Sequence, residues 1–297
     1  MESAALFFNE ENGSVRCGLC PRYCLIPSGG FGSCGARGNK NGKGLIPFYG
    51  LITALALDPI EKKPLYRFRP GTMILSAGFA GCNFRCPFCQ NWRISQIFDD
   101  RADAVSGREM RPRDLVSEAL RQGSSSIAYT YSEPLIHVEY LLDCMNEARK
   151  HGIANVIVTN GCVNAVAAEE ILSLTDAANV DLKCFSPDIY AKILCENSAA
   201  ENILETVLAF IRLAWEKGVH TEITTLVVPG LNDTDEELDA CADFIVSTGK
   251  EIPWHLSAYR PEYRWNAPPA DPEFILRAKK RAEEKLSFVY TNILNRR

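Results

Sequence analysis

A chain of 297 residues with 46% apolar and 23% charged residues is long enough to bury a large core, about one α/β domain plus an appendage. No stretch reaches the ~20 apolar residues of a membrane span. The acidic and apolar residues after Met1 also lack the basic and long apolar regions of an export signal. The net charge is −5 with dispersed basic residues, so nothing in the charge pattern asks for nucleic acid.

Residues 1–71 read as a small cysteine-rich lobe. Cys17, Cys20, Cys24 and Cys34 fall close together among Gly29, Gly30 and Gly32. Four thiolates complete a tetrahedral site, so this segment is expected to bind zinc or a fully ligated iron–sulfur cluster, with a slight lean to zinc. The alternative is that some are merely buried thiols. So Gly-rich a lobe would have a poor core and would need the metal to fold. A Gly- and Asn-rich turn at 38–44 follows, then an apolar run at 45–57 and the Pro-punctuated segment 58–71, in which Arg67 and Arg69 flank Phe68.

From residue 72 to 297 strands and helices alternate. The pattern predicts strands at 72–77, 125–131, 154–159, 178–183, 221–228, 253–259 and 287–293, rich in apolar and β-branched residues. Helices are predicted at 114–122, 135–151 and 201–217, each closed by a glycine. Thr234 to Glu237 forms a capping box for another, and Asp271-Pro272 opens the last. Such alternation argues for a parallel sheet with helical crossovers. Periodicity does not distinguish an open sheet from a barrel, but nearly every predicted strand ends in a polar group: Cys82, Glu133, Thr159-Asn160-Gly161, Asp181 with Lys183, and His255. That favours a barrel with function at the C-terminal strand ends. The fold class expected is α/β, a partial (β/α)6 TIM-type barrel over 72–297 with the cysteine-rich lobe over 1–71.

Cys82, Cys86 and Cys89 stand in GCNFRCPFCQNW, directly after the first of these strands. A C-x3-C-x2-C loop is one thiolate short of a closed site. A [4Fe–4S] cluster held there would keep one iron open for a substrate or cofactor, whereas a zinc ion would need a distant fourth ligand. Twelve cysteines without an export signal point to the reducing cytoplasm.

The spacing and its surroundings resemble the radical S-adenosylmethionine superfamily. Four segments, CGLCPRYCLIPSGGFGSCGARGN, LDPIEKKPLYRFRPG, GCNFRCPFCQNWRISQ and AYTYSEP, are similar to one branch, the radical enzyme of the AmmeMemoRadiSam system, a relative of pyruvate formate-lyase activating enzymes. The similarity runs from about Cys17 to about Pro261. It implies a [4Fe–4S] cluster on Cys82, Cys86 and Cys89, S-adenosylmethionine bound at the open iron, and reductive cleavage to a 5′-deoxyadenosyl radical. It further implies flavodoxin or ferredoxin as electron donor and Memo-type and AMMECR-type proteins as partners.

Site roles carry over residue by residue. Glu133 matches the acceptor of the methionyl amino group, a role that suits a carboxylate; as a bland alternative it begins a helix. Asp181 and Lys183, two apart on a strand, share a face; the lysine matches the one that meets the cofactor carboxylate, and a ligand-free ion pair is the alternative. Asn160, in a turn-favouring Thr-Asn-Gly, matches a position near the cofactor. Phe88 matches an aromatic residue whose backbone meets the adenine, and Val228 begins a loop, VPGLND, that flanks the adenosine. His255, sharing a face with Ser257 and Tyr259, resembles a histidine near the cofactor; otherwise it is a satisfied core residue.

Cys162 and Cys184 are predicted at strand ends facing the mouth, as thiols able to exchange a hydrogen atom or as plain buried residues. Cys144, Cys195 and Cys241 fall in helical segments without assigned chemistry. The sequence therefore predicts hydrogen abstraction from an unidentified substrate. A glycyl-radical activase and a non-catalytic metal scaffold are the competing readings.

Overall fold

Segments such as Met73–Gly78 and Ser126–Thr130 bury nearly every residue on both faces, the pattern of strands in a parallel sheet covered by helices. The computed structural model describes residues 5–97, 105–196 and 202–293. It begins with a three-stranded antiparallel meander, β1 (Phe8–Glu11), β2 (Ser14–Cys17) and β3 (Leu25–Ile26), followed by the hairpin of β4 (Gly38–Lys40) and β5 (Lys43–Leu45). Strand β6 (Leu51–Ile52) pairs with β9 (Arg108–Glu109).

The central sheet has eight strands: β7 (Ala54–Pro59), β8 (Met73–Gly78), β10 (Ser126–Thr130), β11 (Ala154–Thr159), β12 (Ala177–Asp181), β13 (His220–Val227), β14 (Trp254–Ala258) and β15 (Val289–Thr291). They lie in sequence order, each parallel to the next from β8 onward, while β7 runs antiparallel to β8 with Leu57 opposite Leu75. Leu55 and Leu57 complete the sheet edge through ladder bonds that no apolar count reveals, so the sheet takes in residues expected in the cysteine-rich lobe.

Helices cross between the strands: α1 (Trp92–Ser95), α2 (Pro112–Arg121), α3 (Val138–Lys150), α4 (Ala165–Leu172), α5 (Pro187–Ile189), α6 (Ile203–Glu216), α7 (Asp235–Gly249) and α8 (Pro272–Ala282). The caps work as expected. The Thr234 side chain accepts from the Glu237 N–H, and Asp271 accepts from Glu273. Residue 201, the predicted start of α6, lies outside the described residues. Helix α4 was not predicted; it is short and alanine-rich and its Asn164 makes no side-chain cap bond, so its periodic and capping signals are weak.

Residues 60–72 turn back beneath the sheet. Ile60 and Leu65 are fully buried against Ile74, Ala128, Val156 and Ala177, toward the N-terminal ends of their strands. The Glu222 carboxylate of β13 accepts from the N–H groups of Tyr66 (3.0 Å) and Arg67 (2.8 Å) and bonds to His220 (2.9 Å) and His255 (2.6 Å). Among the described residues no helix is long and apolar enough to cross a membrane.

Candidate active site

The loop after β8 turns through Gly81 and presents Cys82, Cys86 and Cys89 to an open cavity of about 500 Å³ at the C-terminal strand ends. The backbone N–H of Phe84 donates to Cys82 Sγ (3.3 Å), and Cys89 Sγ lies 3.2 Å from the Ser95 hydroxyl. No fourth cysteine lines this cavity among the described residues. Burial pushes the Cys82 thiol well up, and pushes Cys86 up to about 12 although Lys183 opposes it. Thiols so raised ionise when a metal replaces the proton. Three thiols with backbone and cationic support and no fourth ligand are a donor set that fits an iron–sulfur cluster with one open position.

Glu133 follows β10 and is buried. Its Oε1 accepts from the Thr159 hydroxyl (2.6 Å) and the Leu135 N–H (3.1 Å), and its Oε2 accepts from the Asn160 N–H (2.8 Å). Burial pushes its carboxyl up to about 7 against those three bonds. The carboxylate thus both caps the turn at Pro134–His137 and lines the cavity.

Asp181, at the end of β12, pairs with Lys183 Nζ at 3.1 Å, and both line the cavity. Burial disfavours the charge on Lys183, but Asp181 and the Cys86 sulfur outweigh it and hold the ammonium above its ordinary range. Asn160 bonds to Asn83 Oδ1 (2.8 Å) and approaches Cys82 Sγ (3.8 Å). Phe88 also lines the cavity.

Other expected residues lie elsewhere. His255 is buried, bonded to Glu222 and packed between Tyr66 and Tyr290, because it enters β14 near its start and not at its C-terminal end. Val228 is buried, its N–H held by Asn232 Oδ1 (2.7 Å), and it does not line the cavity. Ser257 lines it, whereas Tyr259 bonds to the Trp265 carbonyl. Cys162 and Cys184 are buried and do not line the cavity; burial pushes both thiols up, Cys184 to about 12. The expectation that they face the mouth is corrected.

Sequence reasoning missed two features. His137, fully buried, contacts the Ala80 carbonyl at 2.7 Å through Nε2, which must therefore carry the proton, and stacks on Phe79; burial pushes its pKa down to about 4. It anchors the loop just before Cys82 and carries no sequence signal of its own. Lys63 also enters the cavity. Its ammonium bonds to Asp58 (2.8 Å) and lies 4.4 Å from the centre of the Tyr131 ring, and the Tyr131 hydroxyl donates to the same carboxylate (2.8 Å). The Lys62-Lys63 pair in the EKKPLY stretch was its available signal.

The N-terminal cysteines are also brought together. Cys17, Cys20, Cys24 and Cys34 line a second, very small cavity, along with Arg22, Arg37 and Asn83. All twelve cysteines are free. Among the described residues no group of three or more His, Cys, Asp or Glu side chains stands arranged to hold a metal ion, the two cysteine groups included.

Comparison with known proteins places these features in context. Residues 78–245 match the Radical SAM superfamily. Uncharacterized protein MJ0808 of Methanocaldococcus jannaschii is 39% identical over 294 residues, covering 98% of this chain and 84% of that protein. Pyruvate formate-lyase 1-activating enzyme of Escherichia coli is 25% identical over 199 residues, covering 64% of this chain and 76% of the enzyme. Among solved structures, a radical SAM methyltransferase from Sphaerobacter thermophilus superposes with a TM-score of 0.55 at 16% identity, covering 76% of this chain and 67% of that one. At that identity the likeness speaks for the fold alone.

Proposed function

The chain belongs to the radical S-adenosylmethionine superfamily and is an enzyme, and from that premise we propose that Cys82, Cys86 and Cys89 hold a [4Fe–4S] cluster beside which S-adenosylmethionine binds. When bound, the pair supplies one-electron cleavage to a 5′-deoxyadenosyl radical that abstracts hydrogen from a substrate. The observation that carries the reading is that three thiols, a buried carboxylate and a buried lysine converge on one cavity.

The chain's own groups complement a zwitterionic amino acid with a ribose. Glu133 accepts from the methionyl ammonium through the lone pairs its protein bonds leave free. Lys183 would pair with the cofactor carboxylate, and Asp181, its 3.1 Å partner, would be available to the ribose. Asn160 and the Phe88 backbone, from residues that both line the cavity, would border the adenosine. We read the run of parallel strands with helical crossovers as a partial (β/α)6 barrel. The reducing cytoplasm suits the free thiols. Flavodoxin or ferredoxin is the proposed reductant, and Memo-type and AMMECR-type proteins the partners, on the strength of the CGLCPRYC and EKKPLY segments that resemble the AmmeMemoRadiSam branch.

The test is anaerobic reconstitution and reduction, addition of S-adenosylmethionine, and assay for 5′-deoxyadenosine. Wild type is expected to form it and Cys86→Ala to form none; equal yields would refute the cluster assignment. A second reading, a glycyl-radical activase, is supported by the 25% identity to the Escherichia coli activating enzyme. A glycyl-radical signal generated in a partner protein would select it.

A further inference from the structure

We propose that Lys62, Lys63, Asp58 and Tyr131 form a substrate-anchoring subsite in the same cavity, and that it takes a carboxylate of the substrate. The inference rests on the proposed function, in which Glu133, Asp181 and Lys183 hold the cofactor and leave this second charged cluster unused.

Three segments assemble the cluster. Asp58 stands near the end of β7 at the sheet edge, Lys62 and Lys63 lie in the turn that follows, and Tyr131 comes directly after β10. Lys62, Lys63 and Tyr131 line the cavity. Asp58 backs them: its Oδ1 accepts from Lys62 (3.2 Å), and its Oδ2 accepts from Lys63 (2.8 Å) and from the Tyr131 hydroxyl (2.8 Å). Burial disfavours the Asp58 charge, but the bonds from Lys63 and Tyr131 outweigh it and hold the carboxyl below its ordinary range.

Tyr131 is fixed in an uncommon backbone state. Its φ is +68°, in the left-handed region that a bulky residue rarely adopts. Its ring lies against β8 where Gly78 has no side chain, since a Cβ there would come 2.9 Å from Tyr131 Cδ2. Its carbonyl accepts from Asn91 Nδ2 at 2.7 Å, two residues past Cys89. The subsite is thus tied to the three-cysteine loop. Strained residues persist only where their surroundings over-determine them, and they cluster at functional sites.

Charge selects the ligand. An ammonium carries three N–H donors, and each lysine gives one to Asp58. Two ammoniums against one carboxylate leave one positive charge in excess. Burial, aided by Lys62, lowers the Lys63 pKa although Asp58 opposes it, so its charge is undercompensated and a second anion would favour the charged form. Elsewhere in the cavity, Glu133 and Asp181 against Lys183 leave one negative charge in excess. That suits a cofactor with an ammonium, a sulfonium and one carboxylate. One cavity therefore holds two clusters of opposite excess charge, each complementary to a different molecule. A single positive excess matches a carboxylate; a phosphate dianion would exceed it, and an amine would be repelled.

The test is ligand-observed NMR titration of the full chain, as purified, with butyrate, butyramide, butylamine and inorganic phosphate. Butyrate is expected to bind more tightly than the other three. Lys63→Met should weaken it by about tenfold or more, Asp58→Asn should tighten it by removing the competing charge, and added S-adenosylmethionine should leave it bound. A preference for the amine, the amide or phosphate, displacement of butyrate by S-adenosylmethionine, or no saturable butyrate binding would overturn the assignment. A merely structural ion pair would not move the two variants in opposite directions. Should Lys63→Met not fold, Lys62→Met decides, because that side chain is 66% exposed. A several-fold loss of butyrate affinity supports the subsite, and an unchanged affinity contradicts it. No cluster or radical chemistry enters these readouts. If butyrate binds as expected while no 5′-deoxyadenosine forms, the reaction fails and the subsite stands; the reverse outcome removes the subsite alone.

Discussion

At the scale of single residues, Glu133 shows how one carboxylate is shared between fold and site. Both oxygens accept protein N–H or O–H bonds, so Glu133→Gln would turn one donor toward another. We expect S-adenosylmethionine binding to weaken by about tenfold or more and stability to fall by about 1–2 kcal/mol, with iron content retained. Titration of the cluster absorption with the cofactor and urea unfolding check the two effects. The pH dependence of stability has a defined sign. A carboxyl raised from 4.5 to about 7 binds more protons folded than unfolded between those values. Its contribution is complete below 4.5 and lost as pH rises through 7, and the Gln variant should lack that decline.

At the scale of elements, the segment after β7 is held to β13 by Glu222. Burial disfavours the Glu222 charge, but bonds from His220, His255 and the Arg67 N–H outweigh it and hold the carboxyl down at about 2, from 4.5. A depressed carboxyl contributes stability that is complete above 4.5 and is lost as pH falls through 2. The shift corresponds to about 3 kcal/mol. Glu222→Gln should therefore lower stability by about 3 kcal/mol at pH 7 and flatten the acid limb of a urea-unfolding profile. It should leave the triad's iron content unchanged, since Glu222 does not line that cavity. The EKKPLY stretch owes its proline punctuation to this return path, which brings Lys63 up to Asp58 and Tyr131.

At the scale of the whole molecule, the cysteine-bearing N-terminal residues are tied to the α/β sheet by a buried ion pair. Arg37 and Glu139 of α3 bond at 2.9 Å through both guanidinium nitrogens, with side chains 2% and 3% exposed. Removing one partner strands the other charge, so Arg37→Met or Glu139→Met alone should cost about 3–5 kcal/mol. The double variant should recover much of that loss, and a double-mutant cycle of unfolding free energies measures the coupling. Single variants that lose less than about 1 kcal/mol would show that the two parts are not joined through this pair.

Much of this was legible without coordinates. Cys82, Cys86 and Cys89 stand out by spacing, because a tight loop brings thiols together within a few residues. The seven strands from β8 onward, without β9, announce themselves by apolar runs, because a strand covered on both faces must be apolar throughout. Glu133, Asn160, Asp181 and Lys183 stand at predicted strand ends, where a parallel sheet gathers polar groups, and all four line the cavity. His255 lies near the start of β14, a depth set by the stagger between strands, which periodicity does not encode. Cys162 and Cys184 were misplaced because a residue just past a strand end can turn into the core as readily as toward the mouth. The sequence alone determined the element order and the three-cysteine loop, since both are local. Only the tertiary structure decided which residues meet: Lys63 with Tyr131, His137 with Ala80, and Cys34 with Cys82 are joined by contacts distant in sequence, and such contacts arise only when the chain closes on itself.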